Sequence, residues 1–434
     1  TVPPLNTTMV DVALDGVLSS QRASWEQGVL QSAVTEYLYP NWTFFKKPDS
    51  QLFPPPRSVA SVAQPVALLR LAEKSVSSQD AAGRLASLIT GDERMNEGAT
   101  MDSASCGEGV LVGAWINEGF PNQAPAPQST YGAAAQRQLL YLLRNVTRTP
   151  TGALSQRVSP RTVQLWSDSA YMGPPFLAAY GVMTGNETLV RMAYEQLQLQ
   201  RAALRITRGP GTGLWHHIVQ FNGRNKTPHP IDSRAWLSGL GWAAAGMLRV
   251  AAMISASPWA QAMHVPHDNL LQWTDELLKA VYQNVDGTTG LLPNNANNAS
   301  SFRDASGTAL VTYAAFRLGS MDASRQQYVE QAERAYQTLS SGLSPASSFV
   351  DGLLTVNELN TSAPGPTSTE SLSFMILMSA ARRDYYAGNV TGAPGAPGPQ
   401  PAPDTHGGAA RPGAPLPLVV ALAAATLALV FVPL

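Results

Sequence analysis

Gly241-Trp-Ala-Ala-Ala-Gly-Met-Leu-Arg-Val250 is apolar on almost every side, and segments of the same kind recur along the chain. They begin at Val29, Val110, Phe176, Ala243, Ala309 and Phe374, with a first interval of 81 residues and later ones of 65 to 67. A period that regular marks repeated supersecondary units. A helix that is apolar all round belongs inside a protein, so each segment reads as a buried inner helix. Between them lie amphipathic patterns: Thr8 to Gln21, Pro65 to Lys74, Tyr131 to Arg144, Glu187 to Leu204, Asp268 to Val285 and Ser324 to Leu339. In the fifth, Leu270, Leu271, Trp273, Leu277, Leu278, Val281 and Tyr282 share one face at 3.6-residue spacing. Six inner and six outer helices with no recurring strand pattern give an all-α fold, expected to close as an (α/α)6 toroid. An open α-solenoid is also built of stacked helix pairs. It offers no reason for acids and indoles to gather at one end of every inner helix.

That gathering is what leads into the six segments. The approaches are Trp25-Glu26-Gln27-Gly28, Asp102 to Gly109, Trp166-Ser-Asp168-Ser-Ala-Tyr171-Met172, Trp236 to Trp242, Asp304-Ala-Ser-Gly-Thr308 and Thr369-Glu370-Ser371. In a repeat fold, polar chemistry collected at one end of each unit reads as an active site.

Composition narrows the rest. With 29 Lys plus Arg against 30 Asp plus Glu, no basic face is advertised and nucleic acid is excluded as a partner. Cys106 is the single cysteine, so no internal disulfide forms and core packing carries stability. The six histidines show no ligand spacing, and no metal or other cofactor is expected. Gly209-Pro-Gly-Thr-Gly213 is a turn, with no phosphate-loop lysine.

The ends point to secretion. The chain starts at Thr1, as after removal of a signal peptide, and closes with the apolar run Leu416 to Leu434. Small residues Gly407-Gly408-Ala409 and the spacer Ala410 to Pro415 precede that run, in the pattern of a GPI-attachment signal. A tail-anchoring helix is the competing reading. Eight Asn-x-Ser/Thr sequons, at Asn6, Asn41, Asn145, Asn186, Asn225, Asn298, Asn360 and Asn389, agree with a secretory route. The expected organisation is a barrel domain over 1–386, a Gly/Pro/Ala-rich disordered stalk over 387–415 and the hydrophobic tail over 416–434. The expectation is a monomer, secreted to the cell surface and held to plasma membrane or cell wall through a GPI lipid only.

The strongest local signal is Leu165-Trp166-Ser-Asp168-Ser-Ala-Tyr171-Met172-Gly-Pro-Pro-Phe176, followed by Gly213-Leu214-Trp215-His216-His217 and Trp236-Leu-Ser-Gly-Leu-Gly241-Trp242. In order and spacing these resemble the unsaturated rhamnogalacturonyl and glucuronyl hydrolases, the six-hairpin glycosidases of families 105 and 88. Trp25-Glu-Gln-Gly-Val29 and Asp304-Ala-Ser-Gly-Thr-Ala309 also look like family segments, so the resemblance covers about residues 10 to 386. The resemblance implies an oligosaccharide substrate ending in a uronic acid with a C4=C5 double bond. It gives Asp168 the role of protonating that bond and activating water, with Asp102 as an assisting carboxylate. His217, or its neighbour His216, would contact the substrate near the scissile oxygen. Trp25, Trp166, Met172, Trp236 and Trp242 would line the sugar site. Other readings stay open: Asp168 as a helix N-cap, Asp102 as a loop aspartate, Trp236 and Trp242 as core residues, Glu26, Asp304 and Glu370 as caps.

The chain departs from the family at one place. Ser238 and Leu240 stand where the pattern carries arginine and asparagine before Gly-Trp. An arginine there would grip the uronate carboxylate, and Arg234 is the nearest substitute. The leading expectation is therefore a cell-surface hydrolase of pectin-derived unsaturated oligosaccharides. A cell-wall glycosidase or transglycosidase acting on an ordinary bond such as that of mannan needs two flanking carboxylates. A catalytically inactive surface glycan-binding protein is the third reading.

Overall fold

Every apolar segment becomes a helix, and each helix starts ahead of its apolar run. The computed structural model describes residues 5–20, 23–45, 64–89, 98–118, 130–159, 161–342 and 369–388. The expected stalk beyond 388, the tail at 416–434, and the sequons at Asn360 and Asn389 lie outside the described residues. The helices and strands are α1 (Thr7–Ser20), α2 (Ser24–Leu38), α3 (Val66–Ser77), α4 (Gly107–Glu118), α5 (Tyr131–Arg144), β1 (Val163–Trp166), α6 (Ser169–Met172), α7 (Pro174–Thr184), α8 (Glu187–Leu204), β2 (Ile218–Phe221), β3 (His229–Asp232), α9 (Leu237–Ser255), α10 (His264–Val281), α11 (Ala305–Met321), α12 (Val329–Gly342) and α13 (Thr369–Ala387). A 3-10 turn, Asp102–Cys106, leads into α4.

The inner helices form a closed ring. α2 packs on α4, α4 on α7, α7 on α9, α9 on α11, α11 on α13, and α13 returns to α2. Closure excludes the open solenoid. Each outer helix backs an inner one, and α1 packs on α13, so the first outer helix completes the last hairpin. In α9 every residue from Leu237 to Ile254 is buried. That helix is long and apolar enough to cross a membrane, and the barrel encloses it completely. α9 also approaches α6 so closely that a Cβ at Gly246 would lie 2.1 Å from the Ala170 carbonyl oxygen.

Two outer helices start elsewhere than the periodicity indicates. α10 begins at His264, because Pro266 falls in its first turn, where a missing N–H costs nothing. α12 begins only at Val329. Asp322 folds the preceding residues into a turn by accepting from the Ser324 amide at 2.9 Å and pairing with Arg325 at 2.7 Å.

The barrel interior also carries charge. Glu36 accepts from Arg317 at 2.7 Å, from Tyr313 Oη at 3.1 Å and from Arg249. Arg249 reaches on to Glu108 at 2.5 Å, and Arg317 to Asp384 at 2.8 Å. These groups tie α2, α4, α9, α11 and α13 together across the ring.

No strand was expected, yet β1, β2 and β3 form an antiparallel sheet in the order β1-β2-β3. Each strand is four residues long, too short for alternation to register in the sequence. The sheet lies in the approaches to α6 and α9, and it builds the site.

Candidate active site

β1 delivers Trp166 and, two residues on, Asp168. One turn of helix follows before Gly173-Pro174-Pro175, where proline at the head of α7 cannot continue the α6 hydrogen-bond ladder. Asp168 occupies the N-cap position of α6, but its backbone is helical (φ −62°, ψ −33°) and its side chain makes no capping bond. The capping reading therefore fails, because an N-cap carboxylate would accept from the first-turn amides. The carboxylate instead accepts from Ser167 Oγ at 3.1 Å and faces a histidine.

That histidine is His217. Successive residues of extended chain point to opposite sides. His217 is buried, with Nε2 3.4 Å from Asp168 Oδ2, while His216 turns the other way and holds the Ser233 carbonyl through Nδ1 at 3.1 Å. The backbone fastens His217 on both sides: its carbonyl accepts from the Ser167 amide and its own amide donates to the Arg234 carbonyl, each at 2.9 Å. Its ring stands 5.6 Å from Trp166, edge-on, and 4.7 Å from Trp236. Nε2 of His217 and Nε1 of Trp236 are both buried without a hydrogen-bond partner in the protein. Buried donors left unpaired are costly, and a site that binds hydroxyls or water has a use for them.

The other face of the imidazole meets a residue that sequence reasoning missed. β3 pairs with β2 so that Asp232 lies opposite Ile218, with a register shift between Ile218 and Val219. Asp232 Oδ2 is 2.9 Å from His217 Nδ1. Arg234 closes on the same carboxylate, with Nε 2.9 Å from Oδ1 and a terminal nitrogen 2.7 Å from Oδ2. The guanidinium fork expected to grip a uronate is thus engaged with Asp232. Burial pulls the His217 imidazolium down, but Asp168 and Asp232 on its two sides outweigh burial and raise it above the ordinary histidine value. Burial raises Asp232, but His217 and Arg234 hold it well below the usual carboxylate range.

Asp102 heads the 3-10 turn before α4 and connects through side chains to Ser169, the residue after Asp168. Its Oδ1 accepts from Gln156 Nε2 at 2.5 Å, and Gln156 Oε1 accepts from Ser169 Oγ at 3.1 Å. Enclosure by protein pushes the Asp102 carboxyl up to about 6, the Gln156 hydrogen bond opposing and the nearby Asp168 charge adding to the rise. Trp166 is oriented by Gln164, which accepts from its indole N–H at 2.9 Å and donates to Gln220 at 2.9 Å.

The remaining sequence candidates lie deeper or apart. Trp242 is fully buried, 4.5 Å from Tyr171 and 4.7 Å from Phe374, and Met172 is buried with it in the apolar core. These are packing surroundings, at odds with the expected sugar-facing wall. Trp25 sits half-buried in the first turn of α2, which packs on the turn holding Asp102. Asp304 caps α11 by accepting from Gly307 N at 3.0 Å, and Glu26 accepts from the Ala23 amide at 3.2 Å. Ser238 and Leu240 are buried in the first turns of α9, where neither offers a charge. Asp232 was hidden because it stands fifteen residues beyond His217, and only the hairpin joins them. Gln156 and Gln164 carry no motif at all.

The family model for Glycosyl Hydrolase Family 88 matches residues 84–386. Among solved structures, the chain is similar to a possible member of the GH105 family from Salmonella enterica serovar Paratyphi A, with a TM-score of 0.62 and 15% identity over 88% of this chain and 94% of that one. A family 105 glycoside hydrolase from C. acetobutylicum gives 0.60 and 16% over 87% and 99%. The unsaturated glucuronyl hydrolase of Bacillus sp. GL1, responsible for the degradation of glycosaminoglycan, gives 0.51 and 17% over 75% and 83%. At such identities the likeness is one of fold.

Proposed function

The chain belongs to glycosyl hydrolase family 88, and on that footing we propose that it hydrates the C4=C5 bond of an unsaturated uronic acid at the end of a pectin-derived oligosaccharide. The observation that carries this reading is the Asp168 carboxylate, free of any capping bond at the one-turn α6 that leads into the inner helix α7, facing Nε2 of His217 at 3.4 Å. Asp168 delivers a proton to C4 and takes one from the water that attacks C5. The π bond breaks as the C4–H and C5–O bonds form, leaving a hemiketal at C5. Its C5–ring-oxygen bond opens to a ketone, and the hemiacetal left at C1 releases the neighbouring sugar as an alcohol. One water is consumed. Asp102 keeps negative charge near the reacting carboxyl and shares its proton balance. His217 Nε2 faces the Asp168 carboxylate, Trp236 Nε1 is a donor for water or sugar hydroxyls, and the Trp166 ring offers a stacking face.

The purified protein incubated with an unsaturated digalacturonide should abolish the ultraviolet absorbance of the conjugated double bond and release free galacturonic acid. Unchanged absorbance with galacturonide, rhamnogalacturonide and glucuronide substrates alike rejects the reaction. We place the enzyme at the cell surface as a GPI-anchored glycoprotein on the strength of its tail and sequons. Asn41, Asn145, Asn186, Asn225 and Asn298 are exposed, whereas the Asn6 amide is committed to the Ser340 carbonyl at 3.0 Å. Release of the protein from intact cells by a phosphatidylinositol-specific phospholipase tests that placement.

A further inference from the structure

We propose that Arg234 and Asp232 form a relay that holds the His217 ring with Nδ1 engaged and Nε2 aimed at Asp168, making Asp232 a positioning residue for the acid–base group. The inference rests on the reaction proposed above and adds to it a residue that lies outside every family motif in this sequence. The geometry runs without a gap. Arg234 fixes both oxygens of Asp232 through two side-chain N–H groups at 2.9 and 2.7 Å, and its own amide donates to Oδ1 at 3.1 Å. Asp232 Oδ2 then receives His217 Nδ1 at 2.9 Å. An imidazole whose Nδ1 carries the proton toward one carboxylate must present Nε2 to the other side, where Asp168 stands.

The charge pattern gives the relay its purpose. His217 is flanked by Asp168 from the β1–α6 corner and by Asp232 at the end of β3. Arg234 stands behind Asp232, and Asp102, with Arg157 near it, stands behind Asp168. A guanidinium bound on both oxygens keeps Asp232 ionised. Asp232 in turn favours the cationic form of His217 while Asp168 moves its proton. With Nε2 carrying a proton, His217 stabilises the Asp168 carboxylate after it has protonated C4, and relaxes that hold when Asp168 recovers a proton from the attacking water. The same pairing commits Nε and one terminal nitrogen of Arg234 to Asp232, so its substitution acts on His217 as well as on any contact with substrate.

The test has two readouts, one independent of activity. Protein labelled with ¹⁵N at histidine, with His217 assigned from a His217→Gln variant, is titrated by NMR. In the wild type His217 should titrate above free histidine and show Nδ1 protonated; a midpoint below free histidine, or a neutral ring with Nδ1 bare, overturns the relay without any variant. Asp232→Asn should lower that midpoint by one pH unit or more, and Asp232→Glu should restore part of the loss. An unmoved midpoint overturns the proposal. On an unsaturated uronide, Asp232→Asn should reduce kcat at least ~10-fold, toward the ~10⁴-fold that losing an imidazole-orienting carboxylate costs a serine protease, and shift the pH profile in the direction of the NMR midpoint while KM stays within ~2-fold. A rise in KM with kcat intact overturns the relay in favour of substrate binding. Wild-type protein that turns over no unsaturated uronide, yet shows the expected His217 titration, rejects the proposed reaction and leaves the relay standing.

Discussion

Asp168 and Asp102 are two carboxylates at one mouth, and their surroundings divide the labour between them. Asp168 keeps an open side toward His217 and is asked to move a proton twice in each turnover. Asp168→Asn retains shape and hydrogen bonding but can neither deliver nor accept that proton. Since positioned acid–base groups contribute about 10²–10⁴-fold, the variant should lose activity at the upper end of that range while substrate still binds. Near-normal turnover by this variant would remove Asp168 from the mechanism. Asp102 makes a different prediction, about stability. Its folded pKa of about 6 stands above the ~3.9 of an unfolded aspartate, so the native state binds the extra proton between those values. The ionised carboxylate therefore costs stability in full above about pH 6, and the cost shrinks as pH falls from about 6 to about 4 and is gone below that. Asp102→Asn removes the charge and keeps an acceptor for Gln156. It should melt higher than wild type at pH 7.5 and no higher at pH 3.5, at a smaller price in turnover than Asp168→Asn. A melting difference that ignores pH would show that Asp102 is an ordinary surface acid.

At the scale of elements, the site depends on how closely inner helices approach one another. Gly246 lets α9 pass the Ala170 carbonyl of α6, the turn that carries Asp168. In an exposed helix Gly→Ala would gain about 1 kcal/mol from propensity. Here the added methyl meets a backbone oxygen that cannot rotate away, and overpacking of this kind costs about 1–3 kcal/mol. Gly246→Ala should therefore destabilise in urea unfolding and, by displacing α6, lower kcat as well; a stabilised, fully active variant would contradict the packing. The inner helices were legible because burial on all sides leaves a long apolar run, repeated at a fixed period. The sheet was not, because four-residue strands such as Ile218–Phe221 leave no countable alternation. The candidate site divides the same way. Asp168 and His217 stand in local motifs, whereas Asp232 acquires its role only through the β2–β3 pairing, and no single-chain spacing expresses that. Trp242 shows the converse. Its Gly-Trp pair matches the family pattern, but α9 turns the indole onto Tyr171 and Phe374 in the core.

For the molecule as a whole, a ring of helices must be closed, and here closure is electrostatic as well as apolar. Where α13 returns to α2, Arg383 donates to the Glu36 and Tyr37 carbonyls at 2.7 and 2.6 Å. The Glu36 side chain, almost fully buried, serves Arg249, Arg317 and Tyr313 from three directions. It lies about three turns, or ~18 Å, along α2 from the mouth. The gross attraction of such a lattice is largely offset by desolvation, so an apolar replacement of the whole set need not weaken the fold. Removing one member is another matter, because the partners stay buried. Glu36→Gln leaves Arg249 to Glu108 and Arg317 to Asp384, each short of one counter-charge. It should cost about 3–5 kcal/mol, whereas neutralising Glu187 in its exposed pair with Arg191 should cost at most ~0.5 kcal/mol. Below its lowered melting point the Glu36→Gln protein should retain the kcat of wild type, because the lattice touches neither Asp168 nor His217. Equal denaturation midpoints for the Glu36 and Glu187 variants would show that apolar packing alone closes the ring. A Glu36 variant that stays folded but loses turnover would instead place the lattice in the chemistry.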